Sequence, residues 1–373
     1  MTQSLPTAYL DTASLLTAIP GLFGFRPEHS MVVVAFDADA SIAVTARHDV
    51  ELESGEPTAR MRESIADVAA VCLRTGAVAT AVVVADDRHA LDSPVYRRLV
   101  AEMNAALVAV GVPGGVSAGF VLAEFAQGQP WRTMWWELDG PGPRGCDPAV
   151  PHLIGVADPG YGCGLLGDPK SSPVALERSL TSGRVVMDSR GELADSLAGT
   201  DQHCTDLACG GRPRRPRVSA SRGSGAALLR SALDLLTGPE PPEMTCATVS
   251  LLGRALIRLD VRDALMTLGA GEHRYVAETV WRELTRRTDG RQRASAATML
   301  AHLYYLGGEG TSAGIALDVA LAADPGWNLA RLLDSALAGG VHPSMIWELL
   351  VESYVVGATL GVELPAMTPN HDT

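Results

Sequence analysis

Along the first part of the chain, short apolar runs alternate with stretches in which hydrophobic residues recur at helical spacing. Met31–Phe36 is apolar and rich in β-branched residues, Asp37–Ser41 supplies turn formers, and Ile42–Arg47 follows as a second run. Two such runs around a short polar turn predict a β-hairpin. Residues 58–75 place Met61, Ile65, Val68 and Val71 or Cys72 on one helical face. Val78–Ala85 is almost wholly apolar, as a strand buried on both faces requires. A second helix is predicted over 94–110, and strands over 116–125 and 131–138. The order ββαβαββ defines an α/β N-terminal domain, a mixed sheet covered by helices, spanning residues 1–198. Within it, the Pro- and Gly-rich stretch 139–170 reads as ordered loop with short elements.

From residue 224 to 358 the pattern becomes alanine- and leucine-rich. Helices are predicted at 225–237, 244–259, 261–269, 273–288, 292–306, 311–323, 327–338 and 343–356. Their short Gly- or Pro-punctuated connections predict an all-α C-terminal domain of stacked antiparallel helices. Residues 199–223 form a Pro/Gly/Ser-rich linker between the domains, with Arg212, Arg214, Arg215, Arg217 and Arg222 in its second half and no acid beside them. Such a run is a solvated linker, or a docking patch for an acidic partner. Residues 359–373 read as a flexible tail.

Composition narrows the function classes. The chain has 373 residues, and 43 acidic against 30 basic residues leave a net charge of −13. That excludes a generic nucleic-acid binder, which needs a basic footprint, and argues against an anionic membrane surface. Met103–Ala123 is 21 residues without a charge, but Val112-Pro113-Gly114-Gly115 breaks it into helix, turn and strand. Residues 1–25 lack the basic opening of a secretory signal, and six cysteines in so long a chain make no dense disulfide framework. These features point to a cytoplasmic protein with reduced thiols.

Candidate chemistry is sparse. Pairing the first two strands symmetrically about 37–41 sets Ser30 beside His48 and His29 beside Asp49. Arg26, His29, Ser30, Arg47, His48 and Asp49 then gather at one hairpin end, with Glu28 between them. A Ser/His/Asp set is the kit of nucleophilic catalysis, and a pair of arginines can clamp a phosphate or carboxylate. Salt-bridging among these residues, fixing the chain where it joins the sheet, is the plainer account. His203, Cys204 and Cys209, with Cys146, His152 and Cys163, lack the tight ligand pairs that zinc favours. No metal and no cofactor are expected. Trp131, Trp135 and Trp136 hold half of the six tryptophans. On a regular strand Trp131 and Trp135 share one face and Trp136 takes the other, so one face is available as an interface anchor.

Residues 300–325 resemble a tetratricopeptide repeat. Ala301, Ala313 and Ala320 stand where the two helices must approach, Leu300, Tyr304 and Leu321 fill between them, and Asp324-Pro325 closes the second helix. A fainter echo lies at Ala277. Stacked repeats expose a groove for a peptide or partner helix, which makes Tyr304, Tyr305 and Trp327 candidate partner-binding residues. A single hairpin packed wholly inside the domain leaves no such groove.

Ile19-Pro-Gly-Leu-Phe-Gly-Phe-Arg-Pro-Glu-His-Ser30 followed by a hydrophobic strand, Thr45-Ala-Arg-His-Asp49, Trp131-Arg-Thr-Met-Trp-Trp136, Ser189-Arg-Gly-Glu-Leu193 and the Asp324-Pro325 segment occur in one order. That series resembles an actinobacterial family, domain of unknown function 4192, over residues 10–345. The resemblance implies an architecture and no activity. His48 departs from the apolar residue expected between Arg47 and Asp49, and Cys146 lacks an adjacent cysteine. A non-catalytic scaffold or regulatory protein that binds a protein partner or self-associates is the expected function. A hydrolase-like enzyme or sensor of an anionic small ligand, built on the hairpin end, is the alternative.

Overall fold

In the computed structural model, which describes residues 11–136, 162–200 and 225–367, local signals set most element boundaries. Asp11 caps helix α1 (Thr12–Phe23), its carboxylate accepting from the Ser14 amide at 2.7 Å, and Gly24 closes it with φ +79°. This helix, with Pro20 inside it, occupies an apolar stretch to which sequence periodicity assigned no element. Strands β1 (Ser30–Phe36) and β2 (Ile42–Asp49) form the expected hairpin. A small hairpin follows, β3 (Leu52–Glu53) and β4 (Glu56–Pro57), turning on Ser54 and Gly55, both at positive φ. Thr58 caps α2 (Ala59–Arg74), β5 covers Ala79–Ala85, and Ser93 with Pro94 starts α3 (Pro94–Val110). Strands β6 (Ala118–Leu122), β7 (Pro130–Trp136) and β8 (Cys163–Leu165) complete the sheet, and α4 (Pro173–Ser182) and α5 (Arg190–Asp195) follow.

The strands form one sheet in the order β2-β1-β5-β6-β7-β8. Only β5 and β6, joined through α3, are parallel; every other neighbouring pair is antiparallel. Met31, Val33, Val82, Val84 and Val121 pack with Met61, Ile65, Leu99 and Met103 of α2 and α3. The opposite face is buried as well, through Val32, Val34, Val83, Phe120 and Trp131. A mixed sheet covered by helices is therefore the architecture of this unit. The charge-free run 103–123 is the end of α3, a turn and β6. Among the described residues no helix is long and apolar enough to cross a membrane.

The chain divides between Glu192 and Leu193 into two compact units. The second is helical: α6 (Gly225–Leu236), α7 (Cys246–Ile257), α8 (Leu259–Leu265) running into a 3-10 turn, α9 (Arg274–Arg287), α10 (Gly290–Leu306), α11 (Gly310–Ala323), α12 (Asn328–Ala338) and α13 (Pro343–Thr359). Helix α10 is its centre. Every residue from Ala294 to Leu306 is buried, so this helix is covered on all sides, principally by α9 and α11. Ala301, Ala313 and Ala320 are fully or almost fully buried, allowing α11 to lie close after the short 307–309 connection. Part of the expected tail is ordered: Val362 is buried and the Tyr354 hydroxyl donates to the Pro365 carbonyl at 2.5 Å. The rest of that tail, residues 368–373, and the arginine-rich segment 201–224 lie outside the described residues.

Cys163 and Cys246 are each disulfide-bonded, in contrast to the reduced thiols expected from sequence. Cys72 is free and buried on α2, where burial pushes its thiol up to about 11.

Candidate functional site

One end of the sheet collects most of the polar side chains singled out from sequence. Ser30 opens β1 opposite Asp49, the last residue of β2, and opposite Ala85, the last of β5. Ala85 in turn pairs with Leu122, the last of β6. The carboxyl ends of the parallel pair thus meet the start of β1, and loops beyond the carboxyl ends of parallel strands are where α/β sheets commonly hold ligands.

The hairpin register differs by one residue from symmetric pairing. A bulge between Ala35 and Phe36 advances β2, so that Ser30 faces Asp49 and Met31 faces His48. Ser30, Arg47 and Asp49 come together. The Arg47 Nε donates to Ser30 Oγ at 2.9 Å, and its Nη2 pairs with Asp49. The Ser30 hydroxyl donates to the Glu28 carbonyl at 2.5 Å. Burial lowers the Arg47 pKa, with Asp49 opposing that shift. Its guanidinium also lies 5.9 Å from the centre of the Phe25 ring. His48 alternates away from Arg47 and Asp49 along β2. Burial, then the charge of Arg47, lowers its pKa. Ser30 is fully buried, its proton is committed to a carbonyl and no histidine is bonded to it, so this serine is not set up as an activated nucleophile. Arg26 pairs instead with Asp188 at 3.0 Å, and Lys170 joins the same carboxylate at 2.9 Å.

His29 leads to residues that sequence spacing did not connect. Its backbone sits at φ +44°, uncommon for a residue with a side chain, and its carbonyl accepts from the Val50 amide at 2.7 Å. The imidazole Nδ1 lies 3.0 Å from Asp86 Oδ1 and 3.5 Å from Asp87 Oδ1. Asp86 and Asp87 follow directly on β5. The Asp86 side chain is fully buried, while those of His29 and Asp87 are 53% and 67% exposed. Arg88 Nε donates to Asp86 Oδ1 at 2.7 Å, and its Nη2 donates to the Val50 carbonyl at 2.7 Å. The Tyr96 hydroxyl donates to the Asp86 backbone carbonyl at 3.0 Å, and burial pushes that phenol up to about 12. Burial raises the Asp86 pKa, but hydrogen bonds from Arg88 and His29 outweigh it and the carboxyl ends below its ordinary value. Asp86 Oδ2 is buried without a hydrogen-bond partner. Leaving such an atom bare costs about 1–3 kcal/mol, more when it is charged.

The aromatic candidates are placed differently from the sequence expectation. A second bulge, between Gly119 and Phe120, interrupts the alternation of β7. Trp131, before the bulge, lies against Phe120, edge to face at 5.8 Å, and is fully buried. Trp135 packs on the α2/α3 side, its indole donating to the Val116 carbonyl at 3.1 Å. Trp136 ends β7. In the helical unit Tyr304, Tyr305 and Trp327 are all buried. The Tyr304 hydroxyl accepts from Arg282 at 3.0 Å, Tyr305 donates to the Val341 carbonyl at 2.7 Å, and Trp327 lies under Arg262. These side chains hold the core and offer no open groove. Of the cysteine and histidine set, Cys146, His152, His203, Cys204 and Cys209 lie outside the described residues.

The fold and site define a class: a mixed α/β unit with a charged sheet end, followed by a helical unit. Residues 13–344 match the domain of unknown function DUF4192, and the chain belongs to that family. No curated protein and no solved structure matches it.

Proposed function

We propose that the protein is a non-catalytic, partner-binding protein whose helical unit docks a basic amphipathic helix on α13. The outer face of α13 carries the proposal. Ile346, Leu350, Ser353 and Gly357 turn one stripe of this helix inward. Met345, Leu349, Val351 and Val355 stand outward, each more than half exposed. With about 3.6 residues per turn these make two exposed apolar pairs, Met345/Leu349 and Val351/Val355, and an exposed face of that kind marks interaction sites. Glu348 and Glu352 punctuate it, and α13 has no lysine or arginine. Two copies of this face would set like charges together, whereas a basic amphipathic helix satisfies both the apolar stripe and the acids. The net charge of −13 favours the same partner class.

The test is fluorescence anisotropy of a labelled Leu/Lys amphipathic helix with the full chain, alongside light scattering. Saturable binding that weakens with salt, and at least about tenfold in Leu349→Ser/Val355→Ser with unchanged circular dichroism, is expected. Equal binding by wild type and variant overturns the proposal. A salt-insensitive dimer lost in the variant replaces the basic partner by a second copy. We place the protein in the cytoplasm, since six cysteines in 373 residues make no dense disulfide framework.

A further inference from the structure

The geometry points to a divalent-cation site formed by His29, Asp86 and Asp87 at the end of the sheet, taking a first-row transition ion such as Mn2+ or Zn2+. Three ligand atoms, one from each residue, lie within 4.8 Å of one another. The two edges that meet at His29 Nδ1 measure 3.0 Å, to Asp86 Oδ1, and 3.5 Å, to Asp87 Oδ1. An ion about 2.1 Å from each of two ligands separates them by about 3.0 Å at a right angle and about 3.4 Å at the tetrahedral angle. Both edges therefore suit one ion shared among the three side chains.

Asp86 supplies the independent observation. Its carboxylate is fully buried, Oδ1 is already engaged, and Oδ2 has no donor. A buried carboxylate oxygen is normally satisfied, and a cation that Asp86 holds through both carboxylate oxygens would satisfy this one. Arg88 does not fill that role. It reaches Oδ1 alone and is tied by its other arm to the Val50 carbonyl, which holds the carboxylate in place as a supporting hydrogen bond holds a metal ligand. One imidazole with two carboxylates, and no thiolate, suits the borderline transition ions better than Ca2+ or Mg2+. His29 and Asp87 are both more than half exposed, so the remaining coordination positions face water. Ligation uses the unprotonated Nδ1, so the ion and the histidine proton exclude one another.

Isothermal titration of the full chain with MnCl2 and, separately, ZnCl2 tests this, with Mn2+ electron paramagnetic resonance as a second readout. One saturable site per chain is expected for at least one ion. His29→Gln and Asp87→Asn, both at exposed positions, should each weaken it about tenfold or more with unchanged circular dichroism. Asp86→Asn should abolish it, and a failure of that variant to fold leaves the other two decisive. Absence of saturable binding for both ions overturns the proposal. So does binding that His29→Gln and Asp87→Asn leave unaltered, since the ion would then sit elsewhere. The outcome is independent of the α13 variants.

Discussion

His302 shows how much a single buried group can make stability depend on pH. It lies on α10, 2% exposed, with Nε2 buried and unpartnered. Burial, aided by the charge of Arg274, pushes its pKa from 6.5 to about 3. Between those values the unfolded chain binds a proton that the folded chain refuses. Stability is therefore lost as pH falls below 6.5, by up to about 1.4 kcal/mol per pH unit from this residue. Urea unfolding at pH 7 and pH 5 should show a loss of roughly 2 kcal/mol in wild type beyond that in His302→Asn. Equal losses would mean that this histidine is solvated. Single residues were the least legible level of the sequence. Ser30, Arg47 and Asp49 were recognised as neighbours, yet the choice of partner turned on a one-residue bulge. Asp86 and His29 are 57 positions apart, and their meeting depends on β1 lying antiparallel to β5, a pairing that no local pattern encodes.

At the scale of elements the periodic signal was strong. The helices of the second unit fall within a few residues of their expected limits, because their apolar residues recur at helical spacing and Gly or Pro ends each run. Helix α1 and the short β3, β4, β8 and α4 carry no long period, and they escaped. The β6–β7 bulge is likewise invisible in sequence, although it decides which side Trp135 takes. Gly119 sits in that pairing: a Cβ there would meet Trp135 Cβ at 2.7 Å and Val100 Cγ1 at 2.9 Å. Gly119→Ala should therefore cost about 1–3 kcal/mol in chemical denaturation. A neutral result would show that β7 can shift away from β6 without penalty.

For the molecule as a whole, cysteine chemistry bears on where it lives. Cys72 should resist iodoacetamide in the folded protein and react after denaturation, because its thiol is buried and poorly ionised. Peptide mapping of rapidly alkylated cells would report Cys163 and Cys246 in the same experiment. Blocked residues at both positions would place the protein in an oxidising compartment, and labelled ones would support the proposed cytoplasmic placement. The two outer strands of the sheet carry a further consequence. Strand β8 has only three residues, and β2 is bent by its bulge and ends in Arg47, His48 and Asp49. Neither presents the long, flat, apolar rim onto which a stray β-strand could add. The sheet is guarded against fibril-like stacking by its own margins, so crowding or concentration should drive this protein toward helix-mediated encounters before strand-mediated ones.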